Sequence, residues 1–288
     1  MKRTIAIVVS LVAGGTSFAG GRDFIAEHAG AGANAQNAQP YIDQFLRITE
    51  SMTGWPANSA KGEWVDDIKG AEKAISERKP GFAILDPEVF FELRKKEALE
   101  PIGEVRGKTF NKGHYSLVVK DPALKSLADL KGKKVSSNHF ASPRYVSKVA
   151  FDGKTDVEKD FVITKASAPS KPLKDVEAGR ADAALIDDEQ LAQMKEIAPD
   201  LKVIWTSSAL PPTPVVAFTK NATAADRAAF QKALPKLCDS EKGKQVCESM
   251  FIDKFAPVDK TAFSAAEKRY DKVGGAEKAS NDKASTEK

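Results

Sequence analysis

Cysteine, histidine and long apolar runs are all scarce in this chain, and each scarcity closes off a class of function. There are two cysteines, Cys238 and Cys247, with no CxxC or CxxCH, which argues against a haem or metal role. The three histidines, His28, His114 and His139, come without GxSxG, HExxH or a Cys–His pair, so no signature of catalysis is present. Ser137 and His139 lie close in sequence, as easily by chance as by design. After the N-terminus no stretch is apolar enough for a membrane helix. No block of one charge sign exists either. Removing Lys2 and Arg3 takes the formal charge from +4 to +2, and Lys and Glu are mixed along the chain, which is no footprint for nucleic acid. No cofactor and no metal are expected.

What is present begins with an address. Lys2 and Arg3 precede an apolar run from Ile5 to Ala13, and Ser17-Phe18-Ala19 fits a small-x-small cleavage site before Gly20. This predicts a secretory signal peptide over residues 1–19, with an exported mature chain. No Cys follows the cleavage point, so lipid attachment there is not expected. In an oxidising compartment the close pair Cys238 and Cys247 is expected to form a disulfide; two buried thiols in neighbouring helices are the alternative.

The mature chain alternates strand-like and helix-like segments joined by short loops, the pattern of an α/β architecture. A strand over Asp23–Glu27 runs into a glycine-rich loop, and a helix starts near Pro40. Residues 66–77 read as a helix, Gly81–Leu85 as a buried strand, and a helix follows from Glu88. Further on, a strand from Lys133 to Val135 stops at Ser136 before a helix in "SPRYVSKVAF". Gly179 ends a helix ahead of a strand over Ala183–Ile186, and Thr223 caps a later helix. The tail from Gly274 is small, charged and without periodicity, and is expected to be disordered.

Four of these segments, in this order, resemble type II periplasmic binding proteins. They are "KPGFAILDPEVFFEL", "SLADLKGKKV", "VEAGRADAALIDDEQL" and "PPTPVVAFTKNATAADRAAFQKAL". The branch they resemble is the phosphonate-binding (PhnD-like) group of the PhnD/SsuA/transferrin-type family, over roughly residues 22–260. The resemblance implies two lobes, each a sheet flanked by helices, with two crossover strands near 115–119 and 213–219 as a hinge. The implied division is residues 20–114 and 218–273 for lobe 1, 115–217 for lobe 2, and 274–288 for the tail. It further implies a periplasmic monomer that captures a small ligand between its lobes and hands it to an ABC transporter permease.

Candidate ligand contacts lie where strand ends meet helix starts. In the phosphonate-binding relatives a run of Ser and Thr holds the phosphoryl oxygens; the matching stretch here is Ser136, Ser137, Asn138 and Ser142, with His139 and Arg144 as departures. Small polar side chains at a helix N-terminus suit an oxyanion, and Arg144 offers a bidentate clamp. The ordinary alternative is that Ser142 caps the helix, Pro143 is its first residue and Arg144 is solvated. Gly30 and Gly32, in "EHAGAGANAQNAQ", allow close backbone approach to a ligand, or simply connect a strand to a helix; the spacing is not GxGxxG. His28 precedes that loop at a strand end. Asp86 ends a buried strand, facing the other lobe or capping the next helix. Phe90 stands where relatives have an aromatic a few residues on, without a tyrosine's hydroxyl. Asp187 ends the strand "AALI", where the resemblance implies a carboxylate that meets a ligand's amino group; helix capping is the alternative. Tyr115 opens a crossover strand.

These features predict a solute-binding protein for an anionic or zwitterionic molecule, with a phosphonate-like or phosphate-like oxyanion favoured. A ligand sensor or interaction protein of the same fold is the alternative, and an enzyme ranks below both.

Overall fold

The computed structural model describes residues 21–28, 35–107 and 113–272. The expected signal peptide over residues 1–19, Gly30, Gly32 and the tail from Gly274 lie outside those residues. Eleven strands are present among the described residues: β1 (Phe24–Glu27), β2 (Gly62–Val65), β3 (Phe82–Ile84), β4 (Leu99–Arg106), β5 (Tyr115–Val119), β6 (Lys134–Ser137), β7 (Val162–Lys165), β8 (Ala183–Asp187), β9 (Lys202–Thr206), β10 (Pro214–Phe218) and β11 (Lys254–Ala256). They form two mixed sheets, in the orders β11-β4-β10-β3-β1-β2 and β7-β6-β8-β5-β9.

In the first sheet β1 runs parallel to β2 and β3, while β10 is antiparallel to β3 and β4. In the second, β6 is parallel to β7 and β8, and β5 is antiparallel to β8 and β9. Each sheet thus carries one central antiparallel strand adjoining a crossing. The chain enters the second sheet at β5 and returns through residues 207–213 to β10. The crossings are bonded to each other: Leu210 N donates to Gly113 O at 2.8 Å, and Tyr115 N to Ser207 Oγ at 2.9 Å.

Strand alternation sorts the core. Along β1, Phe24 and Ala26 face one apolar cluster with Phe45, Trp55, Phe82 and Phe230, while Ile25 faces another. Along β5, Val118 joins Leu173, Ala184 and Ile186 on the outer face, while Leu117 and Val119 point the other way. The inward faces share one cluster that spans both sheets and holds Phe90, Phe91, Val135, Tyr145, Phe263 and Tyr270. Each such large side chain contributes roughly 1.5–3 kcal/mol by burial.

Several boundaries differ from the sequence expectation. The helix expected near Pro40 begins at Ala35 and keeps Pro40 inside it. The strand expected to stop at Ser136 continues as β6 through Ser137, because both serine hydroxyls find buried partners and can be carried inside the sheet. The helix after Ser142 is one short turn, Pro143–Tyr145, followed by a wider π-turn over Val146–Ala150. Gly179, at φ 68°, ends its helix as expected, and Thr223 accepts from Asp226 N as a cap. The helix Lys260–Asp271 has no counterpart in the sequence reading. It packs Phe263 on Phe90 (5.8 Å) and Tyr270 on Phe91 (5.3 Å), while Arg269 donates to Val149 O at 2.9 Å. This helix therefore touches the helix after β3 and the turn after β6 together.

Candidate functional site

The parallel strands of both sheets point their C-terminal ends at each other, the usual place for a ligand in an α/β sheet. The pairing of Ala26 with Ile84 puts Glu27, His28 and Asp86 at one edge of the first sheet. The pairing of Tyr115 with Asp187 puts these two at the facing edge of the second, beside the end of β6. All of these side chains except Asp187 are buried.

Their contacts form one polar cluster. Asp86 Oδ1 lies 2.7 Å from His28 Nδ1, and Asp86 N donates to Glu27 Oε2 at 2.9 Å. Glu88, in the first turn of the helix Pro87–Leu93, accepts from the Tyr115 hydroxyl at 2.8 Å and so joins the sheets. Burial first, and the Glu88 carboxylate next, hold the Tyr115 phenol protonated well above its usual range. The His139 ring stacks on Tyr115 with centroids 4.6 Å apart.

The tautomer of His139 follows from Gln190. The Gln190 amide nitrogen donates to Asn138 Oδ1 (3.0 Å) and to Pro169 O. Its oxygen is thereby turned towards Asp187 N and His139 Nε2, each 2.9 Å away. His139 therefore carries a proton on Nε2, which also points at Asp187 Oδ2, 3.3 Å away. His139 Nδ1 lies 3.9 Å from Glu88 Oε1. His139 thus sits between a carboxylate of each sheet unit. Asp187 has two roles: Oδ1 accepts from Gln190 N and completes a capping box, and Oδ2 faces His139.

The serine stretch is arranged differently. Ser136 donates to Asp175 Oδ2 at 2.9 Å, Ser137 to Leu185 O at 2.7 Å, and Ser142 to Glu92. Each hydroxyl has one proton, and in this conformation each proton is committed to a protein acceptor. Ser137 and Ser142 also accept, from His139 N and Tyr145 N. Ser142 is thus the cap of its short helix with Pro143 at the first position, as the ordinary alternative expects. Behind Ser136, burial pushes the Asp175 pKa up, but Lys171, Arg180 and Ser136 together pull it below the usual carboxylate range. Arg144 is exposed and lies over the Tyr270 ring, 5.0 Å from its centroid.

His28, Asp86, Tyr115, Asn138, His139 and Asp187 thus share one region. Ser136 turns away from it towards Asp175, and Arg144 towards Tyr270. Asp86 makes no side-chain cap to the helix it precedes. Phe90, 1 % exposed, packs in the core against Phe91 and Phe263. The residues sequence reasoning missed are Glu27, Glu88, Glu92, Tyr145 and Gln190. Gln190 had a readable signal, the D-x-x-Q spacing of a capping box from Asp187; Glu27 and Glu88 are visible only as acids at the borders of apolar strands. Among the described residues no group of three His, Cys, Asp or Glu side chains is placed to hold a metal ion, and no helix is long and apolar enough to cross a membrane. Far from the cluster, Cys238 and Cys247 form the expected disulfide, with Cα atoms 5.8 Å apart.

Comparison with known proteins places this geometry. Among curated proteins no sequence matches this chain. Among solved structures, the binding-protein component of an ABC phosphonate transporter from Pseudomonas aeruginosa is similar at 20% identity and TM-score 0.60, covering 91% of this chain and 94% of that one. PhnD1 from Prochlorococcus marinus, solved in complex with methylphosphonate, is similar at 13% identity and TM-score 0.57, with 87% and 94% covered. A Xanthomonas citri protein solved with bound chloride is similar at 11% identity and TM-score 0.68, with 86% and 96% covered. At these identities the likeness carries the two-lobed fold. The family itself is given by sequence: the profile described as "ABC transporter, phosphonate, periplasmic substrate-binding protein" matches residues 35–263. The chain belongs to the family of periplasmic substrate-binding proteins of phosphonate ABC transporters.

Proposed function

We propose that this binding protein captures a zwitterionic solute, one with an ammonium group as well as an anionic end, and delivers it to its ABC transporter. The observation that carries this reading is the gathering of Asp86, Glu88 and Asp187 at facing strand ends, while the protons of Ser136, Ser137 and Ser142 are spent inside the protein. Carboxylates accept hydrogen bonds, so they suit an ammonium group and repel a bare oxyanion. A donor for the anionic end is the Asn138 amide nitrogen, since the oxygen of that amide faces Gln190.

The mechanism is hinge closure. The sheet of β1–β4, β10 and β11 with its helices forms one lobe and the sheet of β5–β9 with its helices the other, so residues 214–217 go with the first lobe, and the segments flanking β5 and β10 take up the rotation. A solute that bonds to both lobes stabilises the closed state by its differential affinity. No bond in the solute is made or broken. The mature protein works as a periplasmic monomer after removal of residues 1–19.

The test is a thermal-shift panel of methylphosphonate, inorganic phosphate, sulfate, 2-aminoethylphosphonate and amino acids. A ligand that binds only the folded state raises the Tm by mass action. Stabilisation by a zwitterion well beyond that by phosphate or methylphosphonate is the expected result. Stabilisation by methylphosphonate alone would return the weight to the serine stretch and refute this reading.

A further inference from the structure

We infer that Tyr145 is a ligand-contacting residue whose phenol O–H donates to an oxygen of the bound solute; the inference rests on the cleft reading above. Tyr145 is fully buried, at 0 % exposure. Its hydroxyl has no hydrogen-bond partner among the described residues. Buried hydroxyls are nearly always paired, because burying one unpaired is costly. Phenylalanine would fill the same space without that cost, so the oxygen calls for an explanation.

The surroundings supply one. The ring is held from the first-lobe side by Phe91, with centroids 5.5 Å apart, and the backbone from the second-lobe side by the Ser142 cap. Ser142 in turn donates to Glu92, so Tyr145 stands where the helix after β3 meets the turn after β6. Burial raises the phenol's pKa first, Glu88 raises it next, Arg269 lowers it and Asp86 raises it. Tyr145 also acts on Tyr115, whose hydroxyl is bonded to Glu88. The unpaired hydroxyl thus lies within electrostatic reach of Glu88 and Asp86, on a ring packed against the helix that carries Glu88. With carboxylates beside it to hold an ammonium group, a protonated phenol adds a neutral donor for an oxygen of the same solute. The solute class is therefore a small amine bearing an oxygen acceptor near its nitrogen.

The experiment is Tyr145→Phe in the full mature chain, with two readouts. Calorimetric titration of 2-aminoethylphosphonate should show at least a tenfold rise in Kd against wild type. The Tm of the ligand-free variant should be unchanged or higher, since no internal hydrogen bond is lost. A merely structural hydroxyl gives the reverse pattern, a Tm several degrees lower with Kd unchanged, and either half of that pattern overturns the assignment. If 2-aminoethylphosphonate does not bind wild type, the titration is repeated with the amino acid that gives the largest shift in the thermal panel. Binding of neither compound to wild type refutes the cleft reading and this inference with it. Equal binding by wild type and variant refutes Tyr145 alone.

Discussion

Asp187 is a helix cap and, in the function proposed above, also a cleft carboxylate, and two substitutions separate the roles. Its Oδ1 accepts from Gln190 N at 2.9 Å, and its Oδ2 faces His139 Nε2. Asparagine caps helices about as well as aspartate, so Asp187→Asn keeps the cap and deletes the charge. The His139 proton retains Gln190 Oε1 at 2.9 Å, so the local network survives. Asp187→Ala deletes cap and charge together. Loss of the cap costs about 1 kcal/mol, which for a domain of this size lowers Tm by roughly 2–4 °C. Loss of a charged hydrogen bond to an ammonium group costs about 1.5–3 kcal/mol, or roughly ten- to a hundredfold in Kd. The expected pattern is that both variants bind the zwitterion weakly while only the alanine variant melts early. Calorimetric titration and differential scanning calorimetry on the same preparations read the two effects. If Asp187→Asn binds as tightly as wild type, Asp187 is a cap and nothing more, and the ammonium assignment fails.

Three further outcomes follow from the same geometry. Ser137→Ala with Ser142→Ala should lower Tm, since Ser142 caps its helix, yet change Kd less than about threefold; a tenfold loss by calorimetry would mean that the hydroxyls turn to the solute after all. Reducing the Cys238–Cys247 bond, which closes a loop with sequence separation 9, should cost roughly 2.5 kcal/mol on loop-entropy grounds; melting with and without reductant measures it, and titration of unfolded, unreduced protein should find no free thiols. Asp175 has a depressed folded pKa, so its contribution is complete above its unfolded value, about 3.9, and is lost as pH falls through the folded one. Asp175→Asn should therefore lower stability at pH 7, with the gap to wild type closing below about pH 4 in urea titrations; a gap that does not change with pH would show that the Asp175 charge is not what stabilises.

The fold was legible because its signals are local and repeated. Apolar runs such as Phe82–Ile84 and Val215–Phe218, with turn residues at their ends, mark strands wherever they fall. The site was legible only in part, and the reason is direction. Sequence spacing locates Ser136, Ser137 and Ser142 at a strand end and a helix start, which they occupy; it does not say where a hydroxyl proton goes. Ser136 could be assigned to a ligand only by ignoring Asp175, which comes from a helix 39 positions later in the chain. Asp187 was readable as a candidate because a strand ending in acid is visible on one line of sequence. Glu27 carries no signal because an acid at a strand end reads as a solvated boundary residue, and Glu88 carries none because an acid in a helix's first turn is ordinary. The terminal helix was missed because its partners, Phe90, Phe91 and Val149, belong to two distant segments.

The same links bear on the proposed mechanism. Glu88 with Tyr115, Glu92 with Ser142, Phe91 with Tyr145, and Arg269 with Val149 all join the helix after β3 or the terminal helix to residues after the first crossing. In the proposed hinge mechanism these are contacts of the closed state, which opening would break. Polar pairs of this kind lose little on opening, because water replaces each partner, so their net contribution is about 1 kcal/mol apiece. The aromatic contacts lose more, since Phe91 and Tyr145 would be wetted. Closure is thus partly favoured by the protein itself, and the solute supplies the remainder. A bare anion among Asp86, Glu88 and Asp187 would subtract from that remainder by repulsion, whereas an ammonium group adds to it. On the proposed reading, the charge of the cleft, more than the count of its hydroxyls, therefore decides which solute can hold the lobes together.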